Sequence, residues 1–260
     1  MIREELNQAR IAITGATGFL GTALVERLLR CAPECELVLI VRPGRRGAQH
    51  RVDRDILRND AFDRLRDMQQ AAIDAGETTE TFDEMCARRV TGVAGDVGTD
   101  GLGLDDDGLA ALATCDIAIH SAATVSFDSA LDDAVEVNLL GPTRLAHALQ
   151  AAATIRTDPT RTGRPPGEPA HLVAVSTCYV AGSRRGKAPE EMVDDSPFFV
   201  DVDWQAEVDN ARRARVDNEQ ASRTPARLEE LRKEAHRQLG AAGTPALADK
   251  VEQLRQRWVC

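Results

Sequence analysis

The sequence predicts an α/β fold: a doubly wound parallel sheet with helices on both faces, followed by a carboxyl-terminal helical extension. Three observations predict it. Short apolar runs of strand length alternate with stretches whose apolar residues recur at helical spacing, which winds strands into a parallel sheet. Glycines stand three apart directly after the first strand-like run. Beyond about residue 183 no strand-like run follows, and charged helical segments take over.

The elements follow in order. "RIAIT" (10–14) is a short β-branched run, and the amphipathic "FLGTALVERLLRCA" comes after the glycines. "ELVLIVR" (36–42) is apolar throughout, as suits a strand covered on both faces. A charged helical stretch over 48–75 precedes "RRVTGVAGD" (88–96), "CDIAIHSAA" (115–123) and "HLVAVST" (171–177), each strand-like. Between the last two, 129–154 is apolar at helical spacing, with Pro142 as the expected site of a break or kink. "TDPTRTGRPPGEP" (157–169) reads as a mobile surface loop without catalytic value. Helical segments are expected near 202–219, 225–241 and 244–259, with Pro225 and Pro245 in first turns. The reading divides the chain into a sheet domain, 1–183, and a helical part, 184–260.

Composition narrows the function. A chain of 260 residues with 43% apolar content has room for one α/β domain, with or without an appendage. The formal charge of -10 argues against nucleic acid as the main partner, so an anionic ligand must be met by local positive charge. No apolar run approaches the roughly 18 residues that cross a bilayer, and the polar amino terminus lacks a signal-peptide core. The six cysteines include no CxxC pair and read as reduced thiols, which fits a cytoplasmic protein. No metal site is expected.

"TGATGFLG" carries Gly15, Gly18 and Gly21 between a strand and a helix. One glycine allows a sharp turn, one lets backbone N–H groups approach a pyrophosphate, and one lets the helix sit close to the sheet. In isolation this is also compatible with a tight structural turn; in its strand-helix context it predicts a Rossmann-type dinucleotide site formed by Gly15, Thr17, Gly18, Phe19, Leu20 and Gly21. The second strand ends in "IVRPGRR", with Arg42, Arg45 and Arg46 and no carboxylate. An acid there would select the ribose 2′-hydroxyl of NAD, whereas arginines accept a 2′-phosphate, so Arg42 and Arg46 point to NADP(H); solvated loop arginines are the alternative. Asp96 and Val97, ending the third strand, are candidates for the adenine amino group and ring, though Asp96 also suits a turn cap. Ser121, Ala122 and Ala123 end the fourth strand with side chains small enough for close cofactor approach.

TGATGFLG, LIVRP, GDV with the trailing GLGL, HSAATVSFD, VNLLGP and VSTCYVAG together resemble the extended short-chain dehydrogenase/reductases. More narrowly, they are similar to the fatty acyl-coenzyme A reductase and thioester reductase branch with its male sterility-type NAD(P)-binding domain. The likeness is close over 10–183 and less specific in the tail, including "WQAEVDNARR" and "RWVC". It implies reduction of a fatty acyl-coenzyme A or carrier-bound acyl thioester to aldehyde or alcohol. It also implies a catalytic Ser or Thr after the fifth strand, an Asn in the preceding helix, and a Tyr with a Lys four residues later. Thr177 matches the hydroxyl position and Asn138 the Asn; a strand-end back-bond and a helix-to-strand tie are the respective alternatives.

Tyr179 is the only tyrosine, stands two residues after Thr177, and has Ser183 where the Lys would be. The Tyr–Lys pair is therefore absent, and the expectation is an amino-terminal fragment that binds cofactor but reduces slowly, since losing a general acid costs about 10²–10⁴-fold. Arg184, Arg185 and Lys187 are candidates for the anionic coenzyme A, or a solvated turn. His120 reads as a strand-end core histidine. Two other functions are compatible with these residues: a non-catalytic NADP-binding module, and a sugar-nucleotide epimerase or dehydratase, which Arg42 disfavours.

Overall fold

A computed structural model describes residues 2–126, 129–177, 185–196, 199–240 and 244–259. In chain order the elements are α1 (Ile2–Gln8), β1 (Arg10–Thr14), α2 (Phe19–Cys31), β2 (Glu36–Val41), α3 (Ala48–Asp55), α4 (Asp63–Asp74), α5 (Phe82–Arg89), β3 (Val90–Ala94), α6 (Asp106–Ala113) and β4 (Ile117–His120). They continue with α7 (Leu131–Ala134), α8 (Leu140–Ile155), β5 (His171–Ala174), α9 (Trp204–Ser222), α10 (Pro225–Leu239) and α11 (Thr244–Val259). The chain divides into two compact units: Met1–Thr124 with Glu136–Cys178, and Val125–Val135 with Tyr179–Cys260. Residues 125–135 thus group with the helical unit, although they precede the last strand in sequence.

The first unit is built on a five-stranded parallel sheet in the order β3-β2-β1-β4-β5. This is the doubly wound α/β arrangement that the alternating runs predict. Successive strand residues point to opposite faces, and both faces are apolar. Ile11, Ile13, Leu37, Leu39 and Val41 pack with Val25, Leu29, Val52, Ile56 and Phe62 on one side. Ala12, Val38 and Ile40 pack with Leu112, Leu145 and Leu149 on the other. The strand order reverses between β1 and β4, and a sheet of this kind opens its ligand crevice outside the carboxyl ends of the strands at that point.

Three local differences from the sequence reading have physical reasons. The charged stretch 48–75 is two helices, because Asn59 accepts the Ala61 N–H and starts a short 3₁₀ turn between them. Pro142 stands three residues into α8, and the helical backbone runs through it unbroken from the preceding turn, whose last residue Leu139 is itself helical. The irregularity falls earlier, in a π-helical turn at Val135–Leu139. The proline-rich loop 157–169 is tied down, since Asp116 accepts hydrogen bonds from the Thr162 N–H and hydroxyl, and the buried Arg156 donates to the carbonyls of Pro165 and Glu168.

β5 closes the described sheet as an edge strand, with Val173 42% and the following Val175 46% exposed. It ends at Ala174, three residues short of the expected strand end. In the second unit, the buried Arg255 joins α11 to α9 through Glu219 (2.6 Å) and Ser222 (3.0 Å), and Arg227 of α10 lies 4.4 Å over the Trp258 ring. Arg215 of α9 holds both Asp132 and Asp133 of α7.

Candidate functional site

A cleft of about 350 Å³ opens at the carboxyl ends of β1, β2, β3 and β4. It begins where β1 stops: Gly15 adopts φ +74°, and a Cβ there would lie 2.5 Å from the Ala122 backbone nitrogen. Only glycine both turns this way and lets the turn rest against the end of β4. A Cβ at Gly21 would lie 2.1 Å from the Gly15 carbonyl oxygen, so the third glycine seats α2 on the turn. The N-cap of α2 is Gly18, with no side-chain cap, and the helix brings its partial positive charge to a cleft wall made of Thr17 and Gly18. Phe19 and Leu20 are exposed in the first turn of α2 and Gly21 is buried beneath it; none of the three lines the cleft.

The floor is Ser121, Ala122 and Ala123. Ser121 donates its hydroxyl (2.8 Å) and N–H (3.3 Å) to the Thr14 carbonyl, which staples the ends of β4 and β1. Beside them Thr14 Oγ1 lies 2.8 Å from Nδ1 of the buried His120, and burial pushes that imidazole's pKa down, favouring its neutral form. Asp96 and Val97 line the wall after β3. One Asp96 carboxylate oxygen already accepts the Gly98 N–H at 2.9 Å, so this side chain shapes its own turn as well as the cleft.

The two residues expected to be catalytic are placed differently. Asn138, in the π-helical turn, accepts the Thr124 N–H (2.8 Å) and donates to the Thr124 carbonyl (2.9 Å). Its amide thus fixes the segment leaving β4, and its neighbour Val137 and Thr124 itself line the cleft. Arg144 holds the same turn, donating to the Glu136 carbonyl (2.8 Å) and carboxylate (2.6 Å) and to Asp100 (2.8 Å). Thr177 lies exposed three residues past β5 and does not line the cleft. Cys178, Tyr179, Ser183 and Arg184 lie outside the described residues, while Arg185 and Lys187 are exposed.

Positive charge gathers at the end of β2. Arg42 lines the cleft, and so does Arg51, one turn into α3, which the sequence reading did not single out. Arg46 lines an adjoining cavity instead. Arg51 donates from Nη1 to the Arg42 carbonyl at 2.6 Å, and no sequence spacing announces a guanidinium that returns from the next helix to the strand end. Among the described residues there is no cluster of His, Cys, Asp and Glu suited to a metal, and no helix long and apolar enough to cross a membrane.

The family model described as male sterility protein, an NAD-binding family, matches residues 13–240. The chain belongs to this family. The male sterility-type domain so identified takes a nicotinamide dinucleotide as its cofactor class. Curated relatives include a fatty acyl-CoA reductase 8 of Arabidopsis thaliana, 28% identical over 78% of this chain and 38% of the relative. A fatty acyl-CoA reductase 1 of Xenopus laevis is 30% identical over 75% of this chain and 33% of the relative. The chain therefore spans well under half the length of these relatives. Among solved structures, the terminal R domain of the myxalamid PKS-NRPS pathway is 24% identical, with a TM-score of 0.45 over 69% of this chain and 38% of that one.

Proposed function

We propose that this male sterility-type domain is the cofactor-binding part of an NADPH-dependent reductase of fatty acyl-coenzyme A or carrier-bound acyl thioesters. The observation that carries the reading is the cleft itself: a glycine turn that a Cβ would fill, a helix N-terminus in its wall, and two arginines, Arg42 just past β2 and Arg51 in the first turn of α3. These residues fit a dinucleotide with an extra phosphate. Gly15, Thr17 and Gly18 would hold the pyrophosphate, Asp96 and Val97 the adenine, and Arg42 the 2′-phosphate. Ser121, Ala122 and Ala123 would let the cofactor lie across the strand ends. When bound, the nicotinamide supplies the hydride. Thr177 would donate a hydrogen bond from its hydroxyl to the oxyanion that develops on the thioester carbonyl, and the neutral His120 keeps the end of β1 in place without adding charge.

The acyl thioester is supported by the family and by the names of the curated relatives, of which this chain spans well under half. NADPH and NADH titrations of the 260-residue protein by calorimetry test the cofactor assignment. Tighter NADPH binding supports it, and preference for NADH favours an epimerase-like role. Turnover of long-chain acyl-coenzyme A by a carboxyl-extended polypeptide, but not by this chain, supports the reductase reading. Failure of both with every acyl thioester tried overturns it.

A further inference from the structure

We propose that Leu102 is a positioning residue for adenine recognition: its buried side chain anchors a left-handed turn whose carbonyl fixes the backbone of Asp96. The inference rests on the reading that the cleft takes a nicotinamide dinucleotide with its adenine amino group at Asp96. Gly101, Leu102 and Gly103 all have φ of +60°, and Leu102 is the one non-glycine residue with positive φ among the described residues. A residue with a Cβ adopts this conformation at a cost, and keeps it only where the surrounding structure enforces it. Glycine, which occupies both flanking positions, adopts it freely. What leucine adds is an anchor: its side chain is fully buried in the cluster that holds Ile40, Val93, Leu112 and Leu145.

The anchored turn acts on Asp96 through the backbone. The Leu102 carbonyl accepts the Asp96 N–H at 2.8 Å, and the Leu102 N–H donates to the Thr99 carbonyl at 2.9 Å. The Asp96 carbonyl accepts the Thr99 N–H at 3.0 Å, and one oxygen of its carboxylate accepts the Gly98 N–H at 2.9 Å. Asp96 is thus held at its N–H, its carbonyl and its carboxylate, all within the loop that Leu102 closes. The turn also rests on the residue before it: a Cβ at Gly95 would lie 3.2 Å from the Leu102 carbonyl oxygen and 2.7 Å from Ile40 Cγ2. Gly95, Asp96 and Val97 line the cleft and Leu102 does not, so Leu102 reaches a ligand only through Asp96. A carboxylate oriented in advance accepts from an adenine amino group and repels the carbonyl that hypoxanthine carries at the same position.

The test compares dissociation constants of NADPH and of deamino-NADPH, its hypoxanthine analogue, for the wild-type protein and for Leu102→Gly, Leu102→Met, Gly101→Val, Asp96→Asn and the double variant Leu102→Gly/Asp96→Asn. The wild type is expected to prefer NADPH about tenfold, as for a hydrogen bond to a charged group. Leu102→Gly frees the turn and should reduce that preference to about twofold, while deamino-NADPH affinity stays within about twofold of wild type and so shows that the variant folds. Leu102→Met keeps an apolar anchor of similar volume and should keep the preference. A side chain at Gly101 meets open space, so Gly101→Val acts through its φ of +60° alone and should lower the preference with the core intact. Asp96→Asn, whose amide can accept from adenine or donate to hypoxanthine, should abolish the preference, and the double variant should discriminate no worse than Asp96→Asn alone. A preference untouched by both Leu102→Gly and Gly101→Val, or equal weakening of the two dinucleotides in both, overturns the Leu102 assignment and leaves the cofactor reading intact. A wild type that binds the two dinucleotides equally overturns the placing of adenine at Asp96, and this inference with it, but not the dinucleotide reading. A wild type that binds neither overturns both.

Discussion

Gly15 and Ala122 are packed so closely that a Cβ on the glycine would lie 2.5 Å from the alanine's backbone nitrogen. That contact joins the turn after β1 to the end of β4 and sets the floor of the cleft. Gly15→Ala must therefore both hold a left-handed backbone conformation and push β4 away. It should cost at least about 2 kcal/mol of stability, measured by chemical denaturation, and abolish dinucleotide binding.

Arg144 is expected to matter to the cleft without touching a ligand. It donates to Glu136 in the π-helical turn and to Asp100 beyond β3, joining two segments that each bring a residue, Val137 and Val97, to the cleft. Arg144→Met should lower stability by about 2 kcal/mol, as for loss of hydrogen bonds to a charged group, and weaken NADPH and NADH alike. Equal weakening, read by calorimetry, separates this role from a direct contact with the 2′-phosphate.

Arg89 is almost fully buried and donates to the carbonyls of Leu29 (2.8 Å), Ala32 (2.6 Å) and Cys35 (3.0 Å). It thereby satisfies the end of α2 and the chain entering β2. Arg89→Leu orphans three acceptors and should cost about 3 kcal/mol or more in denaturant unfolding, with Arg89→Lys recovering part.

Burial pushes the pKa of His120 below its ordinary value, so the unfolded chain binds the extra proton at a higher pH than the folded one does. Stability from this residue is therefore present above the unfolded value of about 6.5 and is lost as pH falls below it. Thermal unfolding followed from pH 8 to pH 5 should show a steeper decline for the wild type than for His120→Asn. A parallel decline in the two proteins contradicts this origin.

Much of the sheet was legible because its signals are local. "RIAIT" coincides with β1 (Arg10–Thr14), and the apolar run of β2 reflects burial on both faces. The glycine turn was legible for the same reason, since its chemistry lies within one strand-turn-helix segment. What was not legible depends on distance in space. Arg51 reaches the site only once α3 packs against β3, and Asn138 meets Thr124 across 14 residues through a π-helical turn that no periodicity foretells. The loop 157–169 has a mobile composition, yet Asp116 and Arg156 hold it through contacts made by the folded chain.

Binding of NADPH in the cleft lined by Gly15 is tested most directly by the ratio of NADH to NADPH dissociation constants at one ionic strength. NADPH should bind about tenfold tighter or more, with the preference shrinking as salt screens the arginines near the end of β2. Equal affinity for the two, tighter binding of NADH, or no binding of either would contradict it.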